Sequence, residues 1–335
     1  MKKLASLILA TGVIGSILTG CSDNKTAADS KEDTVLQYQG SPGIVGFPEL
    51  AEDLGYLGDL KLDYIGDSAG GPESIQLTST KQIDFGAAFN GAIIKSYSKN
   101  VKLKSVVGSY GSDENTYMGA YVLEDSPIKS AKDLIGKKVG VNILGAHAEF
   151  VVKDYLRQSG LTEKEIEQVT LVTIPSSNAE QSLRNKQLDS VLLSGIAKDR
   201  ALDTGGIVEL FKDIDVFGSE FTAGDYFFTE QYIKDNPNTV KQFTEGVANA
   251  IEWAQTTPKE EVIARFEEII NERGRKETTD NLKYWKSTGI AEKGGVITPS
   301  EYDVWIEWLV KNGELKEGQV KAEDLYTNEY NPFAK

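Results

Sequence analysis

The sequence predicts an α/β fold made of two similar halves and a helix-rich final third. Runs typical of strands alternate with runs typical of short helices between residues 34 and 195, which is the pattern of a parallel sheet flanked by helices. The motif KQID at 81–84 returns as KQLD at 186–189, and each copy precedes a strand that ends in a small polar residue and a glycine. From residue 230 onward, apolar residues recur at helical spacing.

The first half is expected to hold four strands and two helices. A strand covers 34–39, and the turn-rich stretch GSPGIVGFPELAEDLGYL follows it at 40–57. The other elements, judged by periodicity and by the turn residues around them, are a strand at 61–65, a helix in 70–82, a strand at 83–89, a helix in 90–100 and a strand at 101–110.

The second half repeats this order of strands and helices. Ser130 is placed to cap a short helical turn, with Asp133 three residues later as in a capping box. The helix expected in 146–160 has one apolar face and ends at Gly160, which suits the left-handed residue that follows many helices. The other expected elements are strands at 138–143, 169–175 and 190–194 and a helix in 178–187.

The final third is expected to be mostly helical. Apolar stripes on 243–254 and 262–270 and an aromatic stripe on 302–309 are spaced to pack into a core. The last helix begins at TPSE, 298–301, where threonine suits the cap, proline the first position and glutamate the first turn. Gly313 ends it.

The first 21 residues resemble the export signal of a bacterial lipoprotein. Two lysines precede an apolar run from Leu4 to Leu18, which is shorter than the roughly 20 residues that span a bilayer and is typical of a signal peptide. The run ends in LTGC, which is similar to the lipobox of bacterial lipoproteins. We therefore expect residues 1–20 to be removed and Cys21 to be acylated. The alternative is a signal peptide with an incidental cysteine. More than one acyl chain would anchor the protein stably. Residues 21–33, rich in Ser, Asp, Lys and Ala, then form a flexible tether.

Charge and cysteine content exclude several classes of function. Removal of residues 1–20 takes away two lysines and no acid, leaving 34 basic and 51 acidic residues and a formal charge of −17. A surface of this charge repels nucleic acid and anionic headgroups, so no nucleic-acid partner is expected.

Cys21 is the one cysteine, so no intramolecular disulfide can form. Stability must come from a buried core, which a chain of this length can supply over two domains.

Four turns that contain glycine or serine follow the expected strands. They are GSPG at 40–43, NG at 90–91, LGAH at 144–147 and SG at 194–195. Ligands of open parallel sheets bind beyond the carboxyl ends of strands, where free backbone N–H groups and helix dipoles favour an anionic or acceptor-rich ligand. Four such turns in two halves predict a binding cleft.

Sequence signatures of catalysis are nearly absent. The chain has no G-x-S-x-G, no P-loop and no G-x-G-x-x-G, so no cofactor is expected. No metal is expected either, because a zinc site would need several His or Cys ligands. His147, the single histidine, lies just inside an expected helix N-terminus, which lowers the basicity of imidazole and disfavours a general base. Whether His147 contacts a ligand or serves in packing stays open.

Several stretches together resemble substrate-binding proteins of ABC importers. Besides the lipobox and the GSPG turn, they are TSTKQIDFGAAFNG at 78–91, SPIKSAKDLIGKKVGVN at 126–142, LRNKQLDSVLLS at 183–194 and LYTNEYNPF at 325–333. The resemblance spans residues 34–335 and favours the branch that includes sulfonate, taurine and nitrate binders and thiamine-pyrimidine binders.

The resemblance implies a type II periplasmic-binding-protein fold, in which two α/β lobes are joined by two hinge crossings. Lobe one would comprise 34–121 plus 225–335, and lobe two 122–224. The crossings would fall at Tyr121, Val122, Asp225 and Tyr226. The ligand contacts of the family would fall on the four turns, at Ser41, Gly43, Asn90, Gly91, Gly145, Ala146, His147, Ser194 and Gly195.

The same resemblance implies a lipid-anchored, extracytoplasmic monomer that captures a small organic ligand. It would deliver the ligand to an ABC permease and its ATPase subunit, without catalysis. None of the four turns holds arginine or lysine, so an aliphatic sulfonate such as taurine or an alkanesulfonate is favoured over nitrate as the ligand. The alternative ligand is a thiamine-pyrimidine-like or other heteroaromatic precursor. Two other classes stay open: an enzyme similar to eukaryotic pyrimidine synthases, whose cysteine-rich segment this chain lacks, and a ligand receptor for a membrane sensor.

Replacing Cys21 with alanine should leave an unlipidated precursor and move the mature protein out of the membrane fraction. Cell fractionation and the intact mass of the protein measure both effects. Ser22→Ala is the matched control and should stay in the membrane. A Cys21→Ala protein that remains equally membrane-bound would contradict the lipoprotein interpretation.

Overall fold

The computed structural model describes residues 32–334, whose strands form three sheets with helices packed around them. The expected α/β fold class is confirmed for this part of the chain. The expected signal peptide, Cys21 and the tether up to residue 31 lie outside the described residues.

The segment up to residue 112 contains the strands and helices expected there, and one more helix. In chain order its elements are β1 (Val35–Gly40), α1 (Phe47–Asp53), β2 (Lys61–Asp67), α2 (Gly71–Ser79), β3 (Gly86–Phe89), α3 (Asn90–Ser98) and β4 (Leu103–Ser112). Strands β1 and β2 pair in parallel. The additional helix, α1, forms in the turn-rich stretch because Pro48 occupies its first turn and the Glu49 carboxylate accepts the Gly46 N–H at 3.0 Å.

The middle of the chain forms a five-stranded sheet in the order β7-β6-β8-β5-β9. Its elements are β5 (Met118–Leu123), β6 (Lys138–Val141), α4 (His147–Gln158), α5 (Glu163–Ile166), β7 (Thr170–Thr173), α6 (Ser176–Arg184), β8 (Ser190–Ser194), α7 (Gly195–Thr204), β9 (Ile207–Lys212) and α8 (Asp213–Phe217). Strand β6 is parallel to β7 and β8, and β5 is antiparallel to β8 and β9. The expected capping box forms, since the Ser130 N–H donates to Asp133 Oδ2 at 2.9 Å, and Gly160 has φ +84° after α4.

The final third first adds a strand to the three-stranded sheet that contains β3 and β4, and then becomes helical. Its elements are β10 (Phe221–Thr229), α9 (Glu230–Asp235), α10 (Pro237–Thr256), α11 (Lys259–Glu272) and α12 (Ser300–Lys311). Strand β10 lies between β3 and β4 and is antiparallel to both. Helix α12 starts two residues after the expected cap, and the Thr298 N–H donates to Glu301 Oε2 at 3.0 Å.

The chain passes between the three-stranded and the five-stranded sheet in two places, at 113–117 and at 213–220. These links precede the expected crossings by a few residues. Tyr121 and Val122 lie inside β5, and Asp225 and Tyr226 lie inside β10, where all four are buried. The division into two lobes stays a prediction.

The repeated KQ-x-D motif adopts the same backbone in both halves. Lys81 and Lys186 follow the C-termini of α2 and α6 in the left-handed region, with φ of 60° and 57°. Asp84 Oδ2 then accepts the N–H of Gln37 in β1 at 2.6 Å. In the other half Asp189 Oδ2 accepts the N–H of Lys138 in β6 at 2.8 Å. Each half therefore uses the same helix–turn–strand unit, tied by its aspartate to an earlier strand.

The stripes of the final third pack into the core, as expected. Phe243 and Val247 of α10 are fully buried in one cluster with Leu36 of β1. Tyr302 and Trp305 of α12 are buried in a second cluster. Burial of an apolar side chain of this size stabilises the fold by roughly 1.5–3 kcal/mol. Two further clusters combine strands of the five-stranded sheet with the helices packed against it.

A buried polar network lies between β4, β10 and α12. The Tyr302 hydroxyl donates to Asp225 Oδ2 at 2.7 Å and lies 2.6 Å from the Ser105 hydroxyl. Burial raises the pKa of Asp225 well above its usual value, and the charge of Glu301 adds to the shift. Burial also raises the pKa of Glu301 to about 7, against the hydrogen bond that its carboxylate accepts from the Thr298 N–H. Both carboxyls bind a proton more tightly in the folded chain than in the unfolded chain.

Replacing Glu301 with glutamine should stabilise the protein more at pH 8 than at pH 5. Because folding raises the pKa of Glu301 from 4.5 to about 7, the stability that this group contributes is fully present below pH 4.5 and is lost as the pH rises through 7. The expected gain at pH 8 is on the order of 2 kcal/mol in the free energy of unfolding, measured by urea titration. The exposed Glu323→Gln is the control and should behave as wild type. Equal effects of Glu301→Gln at both pH values would contradict this account.

Candidate ligand-binding cavity

A cavity of about 530 Å³ lies at the carboxyl ends of β1, β2 and β8, next to Gly40, Ser68 and Ser194. This volume is within the range of small-molecule sites. Its wall is rich in aromatic rings, contributed by Tyr38, Phe47, Phe85, Tyr110, Tyr226, Phe266, Tyr284 and Trp285. Such a wall suits a ligand with a flat or apolar body.

Besides α1, whose first residue Phe47 gives a ring to the wall, three helices begin at the cavity. They are α2, α6 and α7, whose first residues are Gly71, Ser176 and Gly195. The first turn of a helix has N–H groups without intrahelical partners and the positive end of the helix dipole. A Cβ at Gly71 would lie 2.8 Å from that of Ala88, so glycine lets α2 begin directly against β3. The three N-termini favour an acceptor-rich group on the ligand.

The carboxylate of Glu49 joins the cavity wall to the segment after α11. Its Oε1 accepts hydrogen bonds from the Tyr38 hydroxyl at 2.5 Å and from Arg275 at 2.9 Å. Its Oε2 accepts from Arg273 and from the Gly46 N–H, both at 3.0 Å. Both oxygens are therefore occupied, and two guanidinium groups contact the single carboxylate.

Glu277 extends this ion cluster to the loop at 41–46. Arg273 donates two hydrogen bonds to it, at 2.6 and 2.7 Å, and the Gly43 N–H donates a third at 2.8 Å. Burial opposes ionisation of Glu277, but these hydrogen bonds outweigh it and lower the pKa below its usual value. Burial and the neighbouring Glu49 carboxylate raise the pKa of Tyr38, which stays a neutral donor.

Two contacts fasten the segment after α11 to helix α7 on another side of the cavity. The hydroxyl of Tyr284 donates to Asp203 Oδ2 at 2.7 Å, and Lys286 Nζ donates to Asp199 Oδ1 at 2.7 Å. Tyr284 and Lys286 both line the cavity. Because α7 follows a strand of the five-stranded sheet and Tyr284 follows α11, the two contacts join distant parts of the chain at the cavity wall.

Of the nine contact residues expected from the sequence, three line the cavity: Ser41, Ser194 and Gly195. Gly43 lies in the loop that Glu277 holds. The remaining five are not part of the wall, and they are Asn90, Gly91, Gly145, Ala146 and His147.

The turn at 90–91 faces the protein core. Asn90 is fully buried, and its Nδ2 lies 3.5 Å from the carbonyl oxygen of Glu301 in α12. A Cβ at Gly91 would lie 2.5 Å from the ring of Phe89. Helix α12 therefore covers this strand end, and glycine is needed there for packing. At the other turn, the Gly145 N–H donates to Glu149 Oε2 at 2.6 Å.

His147 is 4% exposed and lies among aromatic rings. Its ring stacks on Phe89 with centroids 5.3 Å apart and meets Phe221 edge-on at 5.6 Å. Burial lowers the pKa of His147 to about 3, so the imidazole is neutral at pH 7. Its Nε2 lies 3.4 Å from Asp213 Oδ2. Burial raises the pKa of Asp213 to about 6, against a hydrogen bond from Ser112.

Sequence reasoning missed the side chains that form most of the wall. Glu49 lies inside α1, and Trp285 and Lys286 lie after α11, so none of the three stands in a turn at the end of a strand. A usable signal was present at 284–286, where YWK stands in a polar stretch without helical periodicity. Aromatic residues in a connecting segment are frequent in binding sites.

Within residues 32–334, no group of three or more His, Cys, Asp or Glu side chains is placed to hold a metal ion. None of the helices described in that range combines the length and the hydropathy that a membrane crossing needs.

Solved structures define the class of fold. The periplasmic aliphatic sulphonate-binding protein SsuA from Escherichia coli matches with a TM-score of 0.64 and 19% identity, over 87% of this chain and 91% of its own. The periplasmic nitrate-binding protein NrtA from Synechocystis PCC 6803 matches with a TM-score of 0.67 and 12% identity, over 89% of this chain and 87% of its own. The desulfurization enzyme DSZB matches with a TM-score of 0.62 and 14% identity, over 89% of this chain and 98% of its own. The chain has the periplasmic-binding-protein fold, which an enzyme also uses.

Sequence comparison then gives the family. The family model described as NMT1/THI5 like matches residues 49–261, which is more than half of the chain. The chain therefore belongs to the NMT1/THI5-like family. No curated protein matches the sequence. The resemblance to substrate-binding proteins of ABC importers is confirmed at the level of family and fold.

Replacing His147 with alanine should lower stability without changing ligand affinity. The imidazole is packed among rings and does not line the cavity. Its removal leaves a void, which should lower the free energy of unfolding by roughly 3 kcal/mol. Urea titration without ligand measures the stability, and calorimetry with the ligand recovered from the native protein measures the affinity. A tenfold loss of affinity at unchanged stability would instead identify His147 as a ligand contact.

Proposed function

We propose that this protein is an extracytoplasmic solute-binding protein, anchored through acylated Cys21, that delivers a small organic ligand to an ABC permease. The observation that carries the proposal is the cavity at the carboxyl ends of β1, β2 and β8. It combines an aromatic wall with helix N-termini from both halves of the chain, so a single ligand can contact both at once. A ligand that contacts both halves stabilises the closed arrangement by its differential affinity, which a permease can recognise.

The cavity favours a ligand with a ring or a long organic body and an acceptor-rich end. A sulfonate with such a body is the first candidate, since its oxygens suit the N–H groups of α2 and α7. Taurine would leave most of a 530 Å³ cavity unfilled. A thiamine-pyrimidine-like ring is the second candidate, and the aromatic wall favours it because flat rings stack on aromatic side chains.

Binding without turnover is supported by the chemical state of the side chains around the cavity. Glu49, the carboxylate in the wall, has both oxygens hydrogen-bonded to cationic or neutral donors. His147 is neutral, buried and away from the wall. A general base must reach the proton that it abstracts, and neither group meets this requirement. The enzyme alternative stays testable, because the fold is shared with a desulfurization enzyme.

The proposal predicts a ligand-dependent thermal shift that requires the aromatic wall. A panel of aryl and alkyl sulfonates and substituted pyrimidines is screened by thermal denaturation. A hit at a hundredfold excess over its dissociation constant should stabilise the wild type by about 2.7 kcal/mol.

Trp285→Ala should weaken that hit at least tenfold, because it removes a ring from the wall. Tyr56→Ala is the control, since Tyr56 is an exposed aromatic residue away from the cavity. Absence of any shift across the panel, or chemical conversion of the hit detected by mass spectrometry, would contradict the proposed function.

A further inference from the structure

Two charged side chains line the cavity, Glu49 and Lys286, and their surroundings differ. The charge of Glu49 is balanced by Arg273 and Arg275, and Arg273 is in turn shared with Glu277. The two guanidinium groups and two carboxylates of this cluster sum to zero. The Glu49 side of the cavity therefore offers no excess charge to a ligand.

Lys286 belongs to a cluster with one anion and two cations. Asp199 Oδ1 accepts from Lys286 Nζ at 2.7 Å and from Lys198 Nζ at 3.0 Å. Both ammonium groups thus share one oxygen of one carboxylate, which leaves one positive charge in excess among these three groups. The next carboxylate of α7, Asp203, accepts from the Tyr284 hydroxyl instead.

The two lysines do not have equal access to solvent. Lys198 is 1% exposed, with Nζ 3.9 Å from the ring centroid of Tyr117 and 3.5 Å from the Asn115 carbonyl oxygen. A buried ammonium without its carboxylate is strongly destabilising, so Asp199 is required by Lys198. The side chain of Lys286 is 44% exposed and lines the cavity. The excess charge is therefore available to the cavity at Lys286.

Helix α7 adds to the positive potential beside Lys286. Its first residue, Gly195, also lines the cavity, and Asp199 lies one turn further along the same helix. The N-terminal end of the α7 dipole is positive. Lysine and helix end thus present charge and N–H donors to the same region.

We propose that Lys286 is the charge-specificity residue of this site, and that it selects a ligand with one anionic group over a neutral ligand of the same shape. The inference rests on the proposed binding function and extends it to the charge of the ligand. Lys286 lies outside the strand-end turns, so the sequence pattern gives no sign of its ammonium group in the cavity wall.

The test compares benzenesulfonate with benzenesulfonamide, which has nearly the same shape and is neutral at pH 7. Calorimetric titration or the change in tryptophan fluorescence gives the two dissociation constants for wild type, Lys286→Met and Lys286→Arg. Lys283→Met is the matched control, because it removes the same charge from an exposed lysine of the same segment that does not line the cavity. Thermal denaturation without ligand shows whether each variant is folded.

Wild type and Lys283→Met should bind the sulfonate at least tenfold more tightly than the sulfonamide. Lys286→Met should lose this preference, and Lys286→Arg should keep most of it. Equal binding of the two compounds by wild type, or a preference unchanged in folded Lys286→Met, would overturn the inference. If wild type binds neither compound but binds a neutral pyrimidine, the inference fails and the binding function stands. If it binds no compound of either class, the proposed function itself fails.

Discussion

The ion cluster around Glu49 is the interaction on which the cavity most depends. It joins the first strand and helix of the described chain to residues 273–277, more than 200 positions later. Buried charges are costly unless every partner is in place, and here both oxygens of Glu49 are hydrogen-bonded. Loss of one guanidinium would leave charge unbalanced inside the wall. The loop at 41–46 and the aromatic residues near it are thus held by electrostatics as well as by packing.

Local sequence pattern predicted most of the secondary structure but not three of the four strands that adjoin the two links between the sheets. The KQ-x-D motif identified equivalent units in both halves, because its aspartate ties each unit to an earlier strand through one hydrogen bond. Strands β5, β9 and β10 were not identified as strands, and all three run antiparallel to their neighbours. Their pairing partners lie far away in sequence, where local periodicity gives no information.

The candidate site was predictable only in part, for a comparable reason. The strand-end rule located Ser41, Ser194 and Gly195 in the wall. The same rule selected Asn90, which α12 covers. Whether a strand end is open depends on which helix packs against it. Lys286 and Trp285 reach the cavity from an irregular segment, so their place in the wall emerges only once distant parts of the chain are brought together.

A crystal structure of the protein carrying its ligand tests the central claim most directly. The account predicts ligand density in the cavity beside Trp285 and the first turns of α2 and α7, with an acceptor group toward Lys286. Density between the turns at 90–91 and 145–147, with the cavity unoccupied by ligand, would contradict it.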